Sequence, residues 1–367
     1  MIELLHPNNF GYQVLILVIS TLITWLAIPS ILHVARARHL YDDVGHFRKQ
    51  HDHGIPRLGG VAIFVSFIIT TLLFSIIDKA LPISYLLIAC IILFAMGLKD
   101  DLSGVNSSTK FLIQFIVAAI LVLPGDIRIT SMYGFFGIFN LPYVPSAVFS
   151  ILLIMLIVNS FNLIDGIDGL AATTGLIVNG TLALMLMSVK QYELAAICLA
   201  MVGAVAGFLR YNITPAKIFM GDTGALLIGL VSAVMAIKYT EISKVSVSDV
   251  PHLFTAPALT VAILIGPVFD TLRVFTLRIL KGVSPFDADR NHMHHRMLKL
   301  GLTHLQATLL LAGMNLGAIG FVLLFSDLSN TFLISVILLI PIIFNWMITF
   351  CIRSKEREQI ALRNLFV

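Results

Sequence analysis

Side chains that could bind metal or phosphate are grouped at four places in this chain. Each group lies where a long apolar stretch begins or ends. They are Asp100 and Asp101 in GLKDDLSG, Asn159, Asn162, Asp165 and Asp168 in VNSFNLIDGIDGLA, Asp222 in AKIFMGDTGA, and His292, His294 and His295 in HMHH. Carboxylate and amide oxygens are the ligands of hard divalent cations such as Mg²⁺. The grouping therefore predicts a site for charged substrates and a metal.

The pair Asp100-Asp101 ends a predicted helix. The carboxyl end of a helix carries a partial negative charge, so two adjacent carboxylates are disfavoured there by a few tenths to about 1 kcal/mol each. A solvated loop start with Lys99 and Lys110 as neighbours would explain the pair. The alternative is a nearby metal or basic substrate partner.

The run from Asn159 to Asp168 has a polar residue at every third position. In a continuous α-helix each step of three rotates the side chain by about 60°, so the first and last of these would point to opposite sides. All four can converge only if the helix breaks, and Gly166 and Gly169 permit a break. We expect Asp168 to cap the helix that follows.

Asp222 precedes Thr223 and Gly224 at a predicted helix start. An ordinary N-cap would explain it. Helix N-termini also bind phosphates, and a carboxylate beside them can hold the accompanying Mg²⁺. Just upstream, a hydrogen-bonding amide, a cation and an aromatic ring would suit a nucleotide: Asn212, Lys217 and Phe219.

The HMHH motif could bind a soft metal or, beside Arg290, Arg296 and Lys299, a phosphate or sugar. The three cysteines are isolated in apolar segments, so no thiolate site accompanies it. The remaining candidate ligands are carboxylates and amides, which favour Mg²⁺ or Mn²⁺. A local ion pair explains Asp270 and Arg273, three residues apart.

The elements that carry these residues are predicted to cross a membrane. Of the 367 residues, 58% are hydrophobic and 12% are charged, whereas soluble domains carry roughly 25% charged residues. The net charge of +4 gives no reason to expect a nucleic-acid partner. We predict about eleven transmembrane helices in one domain, residues 1–367, with the first apolar run as a retained helix. The predicted spans are 12–34, 58–77, 82–98, 110–123, 145–162, 169–189, 193–209, 223–238, 253–272, 304–325 and 331–352.

The distribution of Lys and Arg predicts the orientation. With the N-terminus outside, 19 basic residues fall on the cytoplasmic side and 5 outside. The C-terminus is then cytoplasmic, as are the motif loops 35–57, 99–110, 159–169, 210–224 and 273–303. All four polar groups thus meet at the cytoplasmic face. The segment 124–144 is an outside loop, either a short hairpin or an interfacial patch.

In their order and spacing, these motifs resemble those of the polyprenyl-phosphate N-acetylhexosamine-1-phosphate transferases, glycosyl transferase family 4. The resemblance covers nearly the whole chain, through GIPRLGG (Gly54 to Gly60), DD, NxxNxxDGxDGLA, FMGD and SPFDADRNHMHH. It implies an all-α integral membrane enzyme of the bacterial cytoplasmic membrane. The reaction implied is transfer of a sugar 1-phosphate from a UDP-N-acetylhexosamine to undecaprenyl or another polyprenyl phosphate, with release of UMP and dependence on Mg²⁺, or alternatively Mn²⁺.

The resemblance also implies a role for each motif. Asp100 would be the base for the lipid phosphate with Asp101 assisting, and Asn162 and Asp222 would hold the metal. The nucleotide, pyrophosphate and sugar would be bound by Asp165, Asp168, Asn212, Lys217, Phe219, His292, His294 and His295. Met293 interrupts the three consecutive histidines of the muramoyl-pentapeptide branch, which favours UDP-N-acetylglucosamine as donor. Direct attack by the lipid phosphate is favoured over a covalent intermediate, and a homodimer is left open.

Three other functions compete with this interpretation. A secondary transporter also has intramembrane carboxylates, but such sites usually lie near the membrane midplane between internal repeats, and no repeat is visible here. An intramembrane aspartyl protease would need glycine where FMGD has Phe219. A lipid-binding scaffold would not need a carboxylate in every one of these motifs.

Overall fold

A backbone surrounded by lipid must satisfy its hydrogen bonds internally, which an α-helix does within one segment. The structure, a computed structural model, describes residues 9–40, 54–74, 83–242, 244, 255–284 and 291–365, and within these ranges it is almost entirely helical. The helices are α1 (Phe10–Ala37), α2 (Gly59–Phe74), α3 (Ile83–Ser103), α4 (Ser107–Val122), α5 (Tyr143–Ile164), α6 (Leu170–Ser188), α7 (Tyr192–Asn212), α8 (Gly221–Ile242), α9 (Ala256–Leu280), α10 (Met293–Lys299), α11 (His304–Leu324) and α12 (Asn330–Leu365).

Each predicted span corresponds to one of these helices, and the short α10 is additional. Nine of the described helices are long and apolar enough to cross a membrane, while α2 and α4 are shorter apolar helices. The prediction of an all-α integral membrane protein is confirmed. The count of eleven crossings and the orientation stay predictions, since α2 and α4 have only 16 residues each.

Helix α8 lies at the centre of the bundle. Its most apolar window is 83% buried, against 22% for α1 and for α12. It packs against α2, α3, α5, α6, α7 and α9. Asp222, at the start of α8, is therefore carried by the central helix of the fold.

Helix α9 is interrupted by Pro267, which has no N–H to donate to the carbonyl of Ile263. The side chain of Asn315 in α11 fills the gap. Its Nδ2 donates to the Ile263 carbonyl (3.0 Å), and its Oδ1 accepts from the Gly266 N–H (3.1 Å). A polar residue in the middle of α11 thus satisfies the broken turn of its neighbour.

The motif residues meet at one end of the bundle, here called the site end. It contains the C-termini of α3, α5, α7 and α9 and the N-termini of α2, α4, α6, α8 and α11. At the opposite end, Ser131 and Asn140 form an antiparallel bridge around a 3₁₀ turn (Phe135–Gly137). Of the two alternatives for segment 124–144, the short hairpin is therefore confirmed. Parts of two predicted motif loops, 41–53 and 285–290 with Arg290, lie outside the described residues.

Candidate active site

The segment before α2 pairs with the segment before α8 through their backbones. The N–H of Phe219 donates to the carbonyl of Pro56 (2.9 Å), Gly59 N–H to Phe219 (3.0 Å) and Gly60 N–H to Met220 (2.8 Å). The two glycines permit this approach, since a Cβ on Gly60 would lie 2.2 Å from the backbone N of Gly224. The PRLGG and FMGD motifs are therefore two halves of one structural unit.

Asp101 binds the N-terminus of α8. One carboxylate oxygen accepts from the N–H of Asp222 (2.8 Å), and the other accepts from the N–H (3.0 Å) and hydroxyl (2.5 Å) of Thr223. These are N–H groups that a helix cannot satisfy internally. The sequence predicted that Asp101 assists a base. In the structure both of its oxygens accept hydrogen bonds from the start of α8, and the assisting role stays a prediction.

Lys110 lies between the other two carboxylates of this group. Its Nζ is 2.6 Å from Asp100 Oδ2 and 2.8 Å from Asp222 Oδ2. The second oxygen of Asp100 accepts from the N–H of Val105 (2.7 Å), which closes the turn between α3 and α4. Of the two explanations for the Asp pair, the neighbouring lysine is confirmed for Lys110, and a nearby metal or basic substrate partner stays a prediction.

These carboxylates fit a divalent cation. One oxygen from each of Asp100, Asp101 and Asp222 can be chosen so that all three lie within 4.8 Å of one another. Asn162 lines the same cavity as Asp222, and its amide oxygen would be a fourth ligand. All are hard oxygen ligands, as Mg²⁺ requires. The ammonium of Lys110 lies between Asp100 and Asp222, so positive charge is already bound at this point of the group.

Helix α5 ends at Ile164, and the chain turns through Asp165 to Gly169, whose φ is +77°. The predicted helix break is confirmed. The prediction that Asp168 caps α6 is wrong, because the N-cap is Gly169 and makes no side-chain cap bond. Asp168 instead accepts from the N–H of Ala216 (3.3 Å) and lies 3.2 Å from His304 Nδ1.

Asn159 does not reach the site. Its Nδ2 donates to Gln114 of α4 (2.5 Å) and to the carbonyl of Met155. The spacing of three residues therefore does not bring Asn159 to the site, because Asn159 lies within α5 on the face that contacts α4. Asn162, one helical step further, lies on the face that contacts Asp222.

A cavity of about 320 Å³ opens among these groups. It is lined by Arg57, Asp101, Asn162, Asp165, Gly166, Ile167, Asp168, Asn212, Phe219, Gly221, Asp222 and His304. Seven of the twelve predicted site residues are in this lining. Of the other five, Asp100 is joined to the cavity through Lys110, and Lys217 is exposed outside it. The three histidines of HMHH are not in the lining, and His294 lies against Gly166.

The cavity is strongly acidic. Burial, together with the negative charges of Asp222 and Asp101, raises the pKa of Asp165 well above its ordinary value, although Arg57 and a hydrogen bond from the Gly221 N–H oppose this. A cation that enters the cavity would relieve the repulsion among these carboxylates and favour the ionised form of Asp165. The electrostatics therefore agree with the donor set in favouring a divalent ion.

Asn212 organises the loops around the cavity. Its Oδ1 accepts from the N–H of Gly169 (2.9 Å) and its Nδ2 donates to the carbonyl of Ile218 (2.9 Å). It is 97% buried, with 3% of its surface exposed. The predicted contact with uracil would have to be made beside these two bonds, whereas the ring of Phe219 is half-buried and faces the cavity.

The HMHH motif is held by Asp270 of α9. Its carboxylate lies 3.0 Å from His292 Nδ1 and accepts from the N–H of Met293 (3.1 Å) and from Arg273 (2.7 Å). The predicted ion pair with Arg273 is confirmed, but it is only part of this network. Within the described residues, the histidines do not form a three-ligand group.

His294 is the most enclosed of these histidines. Burial, and the neighbouring imidazole of His295, lower its pKa to about 3. Its Nε2 has no hydrogen-bond partner among the described residues and approaches the turn at Gly166, where a Cβ would lie 2.4 Å away. A neutral imidazole is therefore packed directly behind the 165–169 turn.

Sequence reasoning missed three contributors to the site: His304 in the cavity wall, Asp270 behind HMHH, and Arg57 as a lining residue. His304 gave no signal of its own, because it is a single histidine that directly follows the threonine cap of α11, outside HMHH. Arg57 is part of the PRLGG motif. A positive charge in a motif that accompanies acidic motifs was the signal that could have identified it as a site residue.

Residues 83–240 match glycosyl transferase family 4. A probable undecaprenyl-phosphate N-acetylglucosaminyl 1-phosphate transferase of Bacillus subtilis is 31% identical over 296 residues, 80% of this chain and 79% of the relative. The chain belongs to glycosyl transferase family 4.

Two further relatives support this membership in the family. The decaprenyl-phosphate N-acetylglucosaminephosphotransferase of Mycolicibacterium smegmatis is 32% identical over 291 residues, 72% of this chain and 70% of the relative. The undecaprenyl-phosphate alpha-N-acetylglucosaminyl 1-phosphate transferase of Escherichia coli K12 is 28% identical over 318 residues, 83% of this chain and 84% of the relative. The resemblance predicted from five ordered motifs is confirmed at the level of the family.

Proposed function

We propose that this family 4 member transfers N-acetylglucosamine 1-phosphate from UDP-N-acetylglucosamine to undecaprenyl or another polyprenyl phosphate and releases UMP. A phosphate oxygen of the lipid forms a bond to the sugar-linked phosphorus of the donor. The bond from that phosphorus to the bridging oxygen breaks, and UMP leaves with the oxygen. The product is a lipid-linked sugar diphosphate, the first membrane intermediate of a cell-envelope polysaccharide.

The observation that carries the proposal is the acidic cavity at one end of a membrane bundle. Carboxylates from α3, from α8 and from the turn after α5 lie beside Lys110, Arg57 and an amide. Two anionic substrates must meet in this reaction, and fixed cations with a divalent ion remove much of their repulsion. The names of the three relatives support both the sugar phosphate and the prenyl phosphate.

Asp222 and Asn162 are the residues proposed to hold Mg²⁺, with Mn²⁺ as the alternative. When bound, the ion supplies positive charge to the diphosphate. Asp101 keeps Asp222 oriented through the N-terminus of α8. Asp165 and Asp168 border the space for the pyrophosphate and nucleotide, and Phe219 offers its ring to the uracil. The HMHH motif is proposed to bind the sugar and its phosphate, and Lys217 is proposed to bind substrate at the outer edge of the cavity.

Direct attack by the lipid phosphate is the mechanism we propose. Asp100 accepts hydrogen bonds from Lys110 and from the Val105 N–H, so both of its oxygens already have a donor. The second pKa of a phosphate monoester is about 6, so the acceptor is already a dianion near neutral pH. Asp100 then orients the acceptor beside Lys110, and no covalent enzyme intermediate is needed.

The test is incubation of the purified protein with polyprenyl phosphate and a panel of UDP-sugars, with lipid-linked product and UMP as readouts. We expect turnover of UDP-N-acetylglucosamine and none of UDP-muramoyl-pentapeptide, because Met293 separates the histidines. Full chelation with EDTA should abolish turnover. Activity that survives chelation would contradict the metal, and comparable turnover of the pentapeptide donor would contradict the choice of sugar.

The proposed location is the bacterial cytoplasmic membrane, with the site end facing the cytoplasm where UDP-sugars are made. The split of 19 basic residues to 5 supports this orientation. A reporter fused after Val367 should be active only in the cytoplasm. The same fusion active only in the periplasm would move the cavity to the wrong side of the membrane.

A further inference from the structure

Arg57 stands at a fixed point on the wall of the cavity. It directly follows Pro56, whose carbonyl accepts from the Phe219 N–H, and two residues later Gly59 donates back to Phe219. The backbone on both sides of Arg57 is therefore tied to the segment that leads into α8. The side chain itself is exposed and lines the cavity. A backbone position that is fixed on both sides, with an exposed side chain, is the arrangement expected of a ligand-binding arginine.

The charges around Arg57 are mostly negative. Four carboxylates line the same cavity, and Lys110 already donates to Asp100 and Asp222. The positive charge of Arg57 acts on Asp165, whose ionised form it favours. Among the described lining residues, Arg57 is the one arginine, so it is the group best able to offer a planar set of donors to an anion.

We propose that Arg57 binds a substrate phosphate in this cavity, and that this phosphate belongs to the diphosphate of the nucleotide-sugar donor. The inference rests on the proposed function and adds a binding residue to it. A guanidinium presents parallel N–H donors that match two phosphate oxygens, and such charge-assisted bonds are shorter and stronger than neutral ones.

The position of Arg57 favours the donor over the lipid phosphate. The residues that flank it, Pro56 and Gly59, are hydrogen-bonded to Phe219, the residue proposed at the uracil, and its charge acts on Asp165 in the cavity wall. The proposed acceptor residue, Asp100, is held on the other side of Asp222 by Lys110 and does not line the cavity. A ligand that reaches from Phe219 toward Asp222 would pass Arg57 with its phosphates.

The experiment uses the full-length protein in detergent and the variants Arg57→Gln and Arg57→Lys. Binding of UDP and of uridine is measured by calorimetry, and the KM values for UDP-N-acetylglucosamine and for polyprenyl phosphate are measured separately. For Arg57→Gln we expect UDP affinity to fall and donor KM to rise by about 10- to 100-fold, because a charge-assisted bond is lost. Uridine affinity and acceptor KM should stay unchanged. The UDP affinity and donor KM of Arg57→Lys should lie between those of the wild type and Arg57→Gln, because lysine keeps the charge but loses the two parallel N–H donors.

Arg210→Gln is the matched control, because Arg210 is an exposed arginine in the last turn of α7 outside the cavity lining. It should leave all four values unchanged. Wild-type UDP affinity and donor KM in Arg57→Gln would overturn the proposal, as would an equal loss of uridine binding. A rise confined to the acceptor KM would overturn the donor assignment. If the wild-type protein makes no lipid-linked product from any UDP-sugar, the proposed function fails, while the UDP and uridine measurements still test Arg57.

Discussion

Replacing Asp101 by asparagine tests whether this carboxylate positions Asp222 or acts in the chemistry itself. Asp101 now accepts three hydrogen bonds at the start of α8, two from N–H groups and one from the Thr223 hydroxyl. Asparagine keeps one acceptor oxygen and turns an NH₂ group toward a backbone N–H. It also removes a negative charge from the positive end of a helix dipole.

The size of the effect follows from these contacts. Loss of a capping side chain costs roughly 0.5–2 kcal/mol, and loss of charge at a partly buried helix N-terminus up to about 2 kcal/mol. The free energy of unfolding should therefore fall by about 0.5–4 kcal/mol. With roughly 2 °C for each kcal/mol, the apparent Tm in detergent should drop by about 1–8 °C.

The assay is thermal unfolding of Asp101→Asn, Thr223→Val and Asp100→Asn, with turnover measured at several Mg²⁺ concentrations. Thr223→Val removes the hydroxyl donor alone and should reproduce about a quarter to a half of the stability loss. Asp100→Asn should lose turnover with little change in Tm, because its oxygen can still accept from the Val105 N–H. An Asp101→Asn protein with wild-type Tm and no activity would refute the positioning role and restore a direct one.

Three further predictions concern packing and ionisation. Gly60→Ala should lower the free energy of unfolding by about 1–3 kcal/mol, because its Cβ would lie 2.2 Å from the Gly224 backbone N. The control Gly313→Ala should leave thermal unfolding unchanged, because a Cβ there has nothing within 4 Å. Asp165 ionises less readily when folded, so the stability of the metal-free protein should fall as pH rises above the ordinary carboxyl pKa of 3.8. Asp165→Asn should flatten that fall and raise the Tm of the metal-free protein at pH 7. Mg²⁺ should raise the wild-type Tm. A Tm of metal-free Asp165→Asn below that of the wild type would contradict the role of Asp165 ionisation. His294 has its pKa lowered from 6.5 to about 3, so stability should decline as pH falls from about 6.5 toward 3, and His294→Gln should remove part of that slope when unfolding is followed against pH.

The fold was accessible from the sequence because long apolar runs in lipid have few alternatives to a helix. The predicted spans differ from the helices mainly at their ends. Helix α12 continues to Leu365, past the predicted end at residue 352, because its charged segment is also helical. Hydropathy detects where a helix is apolar, so it cannot detect where an apolar helix extends into water.

The site was accessible only in part. Composition and spacing drew attention to Asp100, Asp165 and Asp222, because charges are scarce in this chain. The partners of these residues are far away in sequence. Asp101 meets Asp222 across 121 residues, and Asp168 meets His304 across 136. No periodicity encodes such contacts, which is why Asp168 was assigned to the nearest helix terminus and Asn159 to a site that it faces away from.

The junction between Pro267 and Asn315 has a consequence for biogenesis. A chain inserted segment by segment exposes α9 to lipid before α11 has been synthesised, and in that interval the Ile263 carbonyl lacks the amide that later binds it. An unsatisfied carbonyl in hydrocarbon costs several kcal/mol. Helix α9 should therefore remain beside the insertion machinery, or in contact with water, until α11 follows. A chain stopped between the two helices should be a preferred target of membrane proteases, whereas one stopped after Leu324 should not.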